Sequence, residues 1–150
     1  MMESRVSTGL AQLLMGARPH LAGTSLGLIT HQASVTPDIT AAADALTAAG
    51  FHVKAMYGPQ HGMRGEKQDN MIESASFVDP HLGIPAYSLY GEVRKPTPKM
   101  LENIEVMLFD LQDVGVRIYT FVWTMVLAME ACREAGIKFV VLDRPNPING

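Results

Sequence analysis

The chain has 150 residues, which is the usual size of one domain. Hydrophobic residues make up 47% and charged residues 18%, a composition that can form a core and argues against disorder. The net charge of −3 argues against binding to nucleic-acid phosphates, and the single cysteine, Cys132, excludes an internal disulfide. The longest nearly apolar run, Phe121 to Met129, is too short to span a bilayer, and Met1 to Arg5 contain no apolar signal region. We therefore expect a soluble, cytoplasmic domain without nucleic-acid or membrane partners.

Helices and strands are predicted to alternate in the first part of the chain. Gly16 can end the first helix. Thr36 is a suitable cap for the second helix, with Pro37 at its first position and Gly50 at its end. The predicted elements are a helix over about 4–15, a strand from Leu26 to Thr30, a helix over about 38–49 and a strand from Phe51 to Tyr57.

The second part begins with a long polar stretch, Gly58 to Pro85, which shows little periodicity and is typical of a functional loop. Gly136 can cap the last predicted helix, which ends at Ala135. The predicted elements are a strand from Ala86 to Tyr90, a short helix from Thr97 to about Asn103, a strand from Glu105 to Leu111, a helix from Tyr119 to Ala135 and a strand from Ile137 to Leu142.

The pattern of these elements favours an α/β fold. Several strands are continuous apolar runs, as in a parallel sheet that is covered by helices on both faces. One stripe of the last helix is expected to face the core: Val122, Met125, Val126, Met129 and Cys132.

Polar residues follow four of the predicted strands. In an open α/β sheet, ligands bind beyond the carboxyl ends of the strands, so these residues are candidates for one shared site. Each also has a structural interpretation: the histidines could be buried in the core, the aspartates could form turns, Glu66 could be solvated, and Asp143 could pair with Arg144. The candidates are His31, Gln60, His61, Glu66, Asp110, Asp113, Asp143 and Arg144.

Several motifs of other enzyme classes are absent from the sequence. There is no G-x-G-x-x-G, no G-x-x-x-x-G-K-[ST], no G-x-S-x-G and no H-E-x-x-H. We therefore predict no cofactor and no metal, with a loose metal site of His31, His61 and Asp110 as an alternative.

Four motifs in order resemble the NamZ family of exo-acting β-N-acetylmuramidases. The resemblance covers about 27–150, and its specificity comes from the four motifs standing at matching spacing. The motifs are Gly58-Pro59-Gln60-His61-Gly62; Tyr87-Ser88-Leu89-Tyr90-Gly91 with Lys95-Pro96-Thr97; Phe109-Asp110-Leu111-Gln112-Asp113-Val114-Gly115 with Arg117 and Tyr119; and Leu142-Asp143-Arg144-Pro145-Asn146-Pro147.

This resemblance implies both a fold and an activity. The fold would be a Rossmann-like N-terminal domain over 1–150, with an open, mostly parallel sheet and with the family's C-terminal domain absent from this chain. The activity would be release of terminal β-N-acetylmuramic acid from peptidoglycan fragments, in a cleft between the two domains. The expected partner is a muropeptide or amino-sugar ligand, and a homodimer is a further expectation. Some family members are exported, although this sequence shows no signal peptide.

Gln60 departs from the family pattern, which usually has a glutamate there as the expected catalytic acid. An amide cannot donate a proton to a leaving oxygen near neutral pH. We expect Glu66 and Asp110 to be the catalytic pair, since glycoside hydrolysis usually needs two carboxyl groups. The expected substrate-binding residues are His31, Gln60, His61, Asp113, Arg117, Tyr119, Asp143, Arg144 and Asn146.

Two other functions stay open at this point. Gln60 and the missing second domain are compatible with a carbohydrate-binding domain that does not cleave its ligand. A Rossmann-type binder of phosphates or nucleotides is the other, and the missing glycine fingerprint argues against it.

Overall fold

The computed structural model describes residues 6–63 and 76–148, which form a six-stranded sheet with helices on both faces. The strands are β1 (Ser25–Ile29), β2 (His52–Gly58), β3 (Phe77–Val78), β4 (Pro85–Ser88), β5 (Val106–Phe109) and β6 (Lys138–Val141). The helices are α1 (Gly9–Leu14), α2 (Ala42–Ala48), α3 (Pro98–Leu101) and α4 (Phe121–Ala135), with a 3₁₀ turn at Pro19–Leu21.

The strand order is β3-β4-β2-β1-β5-β6, and every pairing is parallel except that of β3 with β4. The predicted α/β fold with a mostly parallel sheet is therefore confirmed. Because β1, β2, β5 and β6 run in the same direction, their carboxyl ends lie along one edge of the sheet, which we call the carboxyl edge.

Each face of the sheet has its own hydrophobic core. Alternate residues of β1 point to opposite faces: Leu28 belongs to the core under α1 and α2, and Ile29 belongs to the core under α3 and α4. Both residues are fully buried, as a parallel strand covered on two faces requires.

The first helix is shorter than predicted. The Thr8 hydroxyl accepts a hydrogen bond from the Ala11 backbone N–H, so α1 begins at Gly9 rather than near residue 4. Gly9 also explains how α1 reaches the last strand: its N–H donates to the Asp143 carbonyl, and a Cβ there would lie 2.4 Å from the Asp143 nitrogen. Only glycine permits this close approach.

The second helix begins at Ala42, not near residue 38. The Thr36 hydroxyl donates to Asp38 and accepts from the Thr40 N–H, which closes a turn before the helix. Ile39 in that turn has a φ of 65°, which is incompatible with a helix. The remaining predicted elements differ only at their ends; β3, inside the predicted loop stretch, and the 3₁₀ turn at Pro19–Leu21 were not predicted.

The predicted core stripe of α4 is wrong apart from Cys132 and the half-buried Met125. The buried face consists instead of Phe121, Thr124, Ala128, Ala131 and Cys132. Small residues on this face let α4 lie close to the sheet, while Val122, Val126 and Met129 face outward. The helix is apolar on most of its surface, so periodicity alone could not select the side that packs.

Among the helices of the described segments, none combines the length and apolarity that a membrane span needs.

Candidate functional site

The carboxyl edge brings together residues from distant parts of the sequence. His31 follows β1, Gln60 and His61 follow β2, Asp110 follows β5, and Arg144 lies three residues beyond β6. The prediction that the polar clusters after these strands share one edge is therefore confirmed.

The centre of this edge is a buried ion pair between Asp110 and Arg144. The Arg144 Nε donates to one carboxylate oxygen at 2.7 Å, and Nη2 donates to the other at 3.0 Å. The Asp110 residue has no exposed surface, and the Arg144 side chain is only 8% exposed. Burial raises the pKa of the Asp110 carboxyl, against the opposing effect of the Arg144 guanidinium. Asp143, which sequence reasoning offered as a partner for Arg144, is exposed.

The same pair joins three of the loops at the edge. Arg144 also donates from Nη2 to the Val35 carbonyl at 3.0 Å, and the Ser34 hydroxyl donates to the Asp110 carbonyl. The loops after β1, β5 and β6 are thereby held to one another. A network of this kind fixes the shape of a site, because buried polar groups that are fully bonded have few alternative positions.

Two contacts connect the loop after β5 with the chain after β6. The Gln112 side-chain amide donates to the Pro145 carbonyl at 2.7 Å, and the Asn146 amide donates to the Asp113 carboxylate at 3.2 Å. Asp113 and Asn146, both predicted to bind substrate, are thus neighbours at the rim of the edge.

Gln60 is held by the start of α4. Its Oε1 accepts a hydrogen bond from the Thr120 hydroxyl at 2.9 Å. The turn that follows Gln60 is tight, since His61 and Gly62 have φ values of 73° and 76°. A positive φ is unusual for a residue with a side chain and is often found at functional sites.

A group of rings lies at the start of α4, next to the Thr120 that holds Gln60. The His31 ring packs edge-to-face on Phe121 at 5.3 Å between centroids, and Tyr119 packs on the same ring at 4.6 Å. Burial lowers the pKa of His31, and the nearby His61 lowers it further. A neutral imidazole can both accept and donate a hydrogen bond, as sugar hydroxyls require.

A cavity of about 460 Å³ adjoins His31 on the side of α2. It is large enough for a small ligand such as a sugar. Its lining includes Thr30, His31, Met63, Asp79 and His81.

The other predicted site residues lie in different surroundings. Arg117 is exposed on the loop before α4, and the Asp143 carbonyl is bonded to the Gly9 N–H. Glu66, the other predicted catalytic carboxylate, lies outside the described residues. In the described ranges 6–63 and 76–148, no group of three or more His, Cys, Asp or Glu side chains could hold a metal ion, so the alternative site of His31, His61 and Asp110 is absent.

Sequence reasoning missed Thr120, Phe121 and Ser34 at this site. Thr120 and Phe121 stand at the start of the most strongly predicted helix, and a helix that follows a strand begins near the carboxyl edge. Their position was therefore a usable signal. Ser34 acts through its hydroxyl on a backbone carbonyl, a contact for which the sequence has no pattern.

Comparisons with known proteins identify the family and the fold of the chain. A family model described as "Exo-beta-N-acetylmuramidase NamZ, N-terminal" matches residues 26–150. The chain is 46% identical over 147 residues to the peptidoglycan β-N-acetylmuramidase NamZ of Bacillus subtilis (strain 168), an alignment that covers 97% of this chain and 35% of that protein.

Two crystal structures of DUF1343 family proteins from Bacteroides fragilis NCTC 9343 are also similar. They match with TM-scores of 0.82 and 0.76 and sequence identities of 43% and 32%, over 94% and 96% of this chain. The chain spans about a third of the length of these relatives, 35% of the first structure and 36% of the second. Because the family model matches most of its residues, the chain belongs to the family of the exo-β-N-acetylmuramidase NamZ and corresponds to the N-terminal domain of that family.

Proposed function

We propose that this domain supplies the sugar-binding edge of a glycosidase that releases terminal β-N-acetylmuramic acid from peptidoglycan fragments during cell-wall turnover. The observation that carries the proposal is the 46% identity to the Bacillus subtilis β-N-acetylmuramidase over nearly the whole chain. Two features of the carboxyl edge support it: His31 lines a cavity of about 460 Å³, and Gln60 is held in place by Thr120.

The geometry gives Asp110, one of the two predicted catalytic carboxylates, a different role from the one expected. Asp110 has no exposed surface and both of its oxygens are bonded to Arg144, so we assign it to positioning rather than to contact with substrate. Glu66 is the remaining member of the proposed pair, six residues beyond Gln60 in sequence. It would protonate the leaving oxygen, while the substrate's own acetamide oxygen could attack the anomeric carbon.

The lactyl carboxylate distinguishes muramic acid from glucosamine and needs a cation. Arg144 is buried, and its guanidinium is bonded to Asp110 and to the Val35 carbonyl. Arg117 is exposed on the loop that leads to Thr120. We therefore propose Arg117 rather than Arg144 as the partner of the lactyl group, through a two-pronged guanidinium contact.

The alternative is a carbohydrate-binding domain that does not cleave its ligand. One observation favours it: residue 60 is an amide, and its oxygen is already occupied by the Thr120 hydroxyl. An amide so held can bind an acetamide but cannot transfer a proton.

Release of a chromophore from an aryl β-N-acetylmuraminide by the complete gene product tests the proposal. Glu66→Gln should lower kcat by about 100-fold or more, as loss of a general acid does. Glu102→Gln is the matched control, because Glu102 is exposed just after α3 and away from the carboxyl edge. Activity that is undetectable in the original protein and is restored by Gln60→Glu alone would overturn the assignment of Glu66 and support the binding domain.

A further inference from the structure

Thr120 is the N-cap residue of α4, yet its hydroxyl does not cap the helix. A threonine at this position normally turns its oxygen toward a free N–H of the first turn. Thr8 does so for α1, accepting from Ala11 at 3.2 Å, and Thr97 does so for α3, accepting from Met100 at 3.4 Å. Thr120 makes no side-chain cap bond, and its backbone has φ −91° and ψ −3° instead of the extended angles of the other two caps.

The Thr120 hydroxyl donates to Gln60 instead. The bond is 2.9 Å long and joins residues 60 positions apart, so it connects the loop after β2 with the start of the longest helix. Phe121, only 4% exposed, anchors this end of α4 against His31 and Tyr119. The Thr120 end of the contact therefore belongs to a well-packed part of the domain.

This bond orients the Gln60 amide, with its oxygen toward Thr120. A carboxamide has one oxygen that accepts and one NH₂ group that donates. Because Oε1 faces the Thr120 hydroxyl, Nε2 is on the side of the amide turned away from Thr120, and no described residue accepts a hydrogen bond from it. Gln60 therefore presents a donor at the carboxyl edge.

We propose that Thr120 is a positioning residue that fixes Gln60 as a hydrogen-bond donor, and that this donor selects ligands with a carbonyl acceptor such as the acetamide of an amino sugar. The inference rests on the proposed function and makes it more specific. A glutamate at position 60 would also accept from Thr120, but when ionised it would have no donor for an acetamide oxygen. The amide at position 60 thus changes what this position recognises, while Thr120 serves either residue.

Binding of two sugars to the 150-residue chain tests the inference. The probes are N-acetylmuramic acid and its analogue with a hydroxyl in place of the acetamido group, which adds no charge. The original chain should prefer the N-acetyl sugar. Thr120→Val should weaken binding of the N-acetyl sugar by about fivefold, the effect of one hydrogen bond between neutral groups, and leave the analogue within about twofold. Thr120→Ser, which keeps the hydroxyl, is the matched control and should keep the preference.

Two further measurements keep the inference falsifiable. Gln60→Glu retains the acceptor for Thr120 but has no donor, so it should lose the preference even if Thr120→Val does not fold. Without ligand, Thr120→Val should shift the NMR resonances of the Gln60 side-chain amide, and Thr120→Ser should leave them nearly unchanged.

The outcomes separate this inference from the proposed function. Suppose that the original chain prefers the N-acetyl sugar. If Thr120→Val keeps that preference, or weakens the binding of both sugars equally, the inference is overturned while sugar binding stands. If the original chain binds neither sugar, the proposed function fails and ligand selection fails with it. In that case the NMR resonances of the Gln60 amide still test whether Thr120 positions it. A shift in Thr120→Val supports the positioning contact, and unchanged resonances overturn it.

Discussion

At the scale of single residues, breaking the Asp110–Arg144 pair should be strongly destabilising. Arg144→Met would leave the Asp110 carboxylate buried without its cation, and we expect the free energy of unfolding to fall by about 3 kcal/mol. Urea denaturation at neutral pH measures this. Arg117→Met is the control, because Arg117 is exposed and its loss should cost less than about 0.5 kcal/mol. Equal effects of the two variants would refute the structural role assigned to the pair.

His31 should make stability depend on pH. Its pKa in the folded state is lowered, so on acidification the unfolded chain takes up a proton at His31 that the folded chain does not. Stability that is present above about pH 6.5 is therefore lost as the pH falls from there toward the folded-state pKa. In His31→Gln, the loss of stability between about pH 7.5 and about pH 5 should be smaller than in the original chain. Urea titrations at both pH values measure the difference, and an unchanged loss would contradict the prediction.

At the scale of the elements, the sequence predicted most of them because their ends carry local signals. The short helix predicted from Thr97 begins with Thr97 as its cap, and Gly136 ends α4 with a φ of 70°. The error at the start of α2 has a physical cause, since the Thr36–Thr40 turn competes with the helix through side-chain bonds. The packed face of α4 was not predictable, because it depends on contact with a sheet that periodicity does not describe.

For the candidate site, the sequence predicted where the residues lie better than it predicted what each of them does. Strand direction alone put His31, His61 and Asp110 at one edge, because parallel strands share their carboxyl ends. The pairing of Asp110 with Arg144 instead of a ligand depends on burial and side-chain geometry over 34 residues of separation. No spacing rule describes such a pair, so a structural carboxylate and a catalytic one look alike in sequence.

At the scale of the whole molecule, the outward face of α4 exposes several large apolar side chains. It carries Trp123 at 66% exposure, with Val122, Val126 and Met129 between 36% and 47%. Ile118, just before the helix, is also 86% exposed. Contiguous apolar surface of this kind usually marks a contact with another protein surface.

We therefore predict that the 150-residue chain self-associates through this face of α4. Its mass by sedimentation or light scattering should rise with concentration, because pairing two copies removes apolar surface from water. Trp123→Gln combined with Val126→Ser should shift the dissociation constant upward by about tenfold or more, as loss of a central aromatic contact does. Ile39→Ser is the matched control: Ile39 is 81% exposed but lies in the turn before α2, so its replacement should leave the association unchanged. A monomer at all concentrations would refute the prediction, and association that survives the double variant would place the contact on another surface.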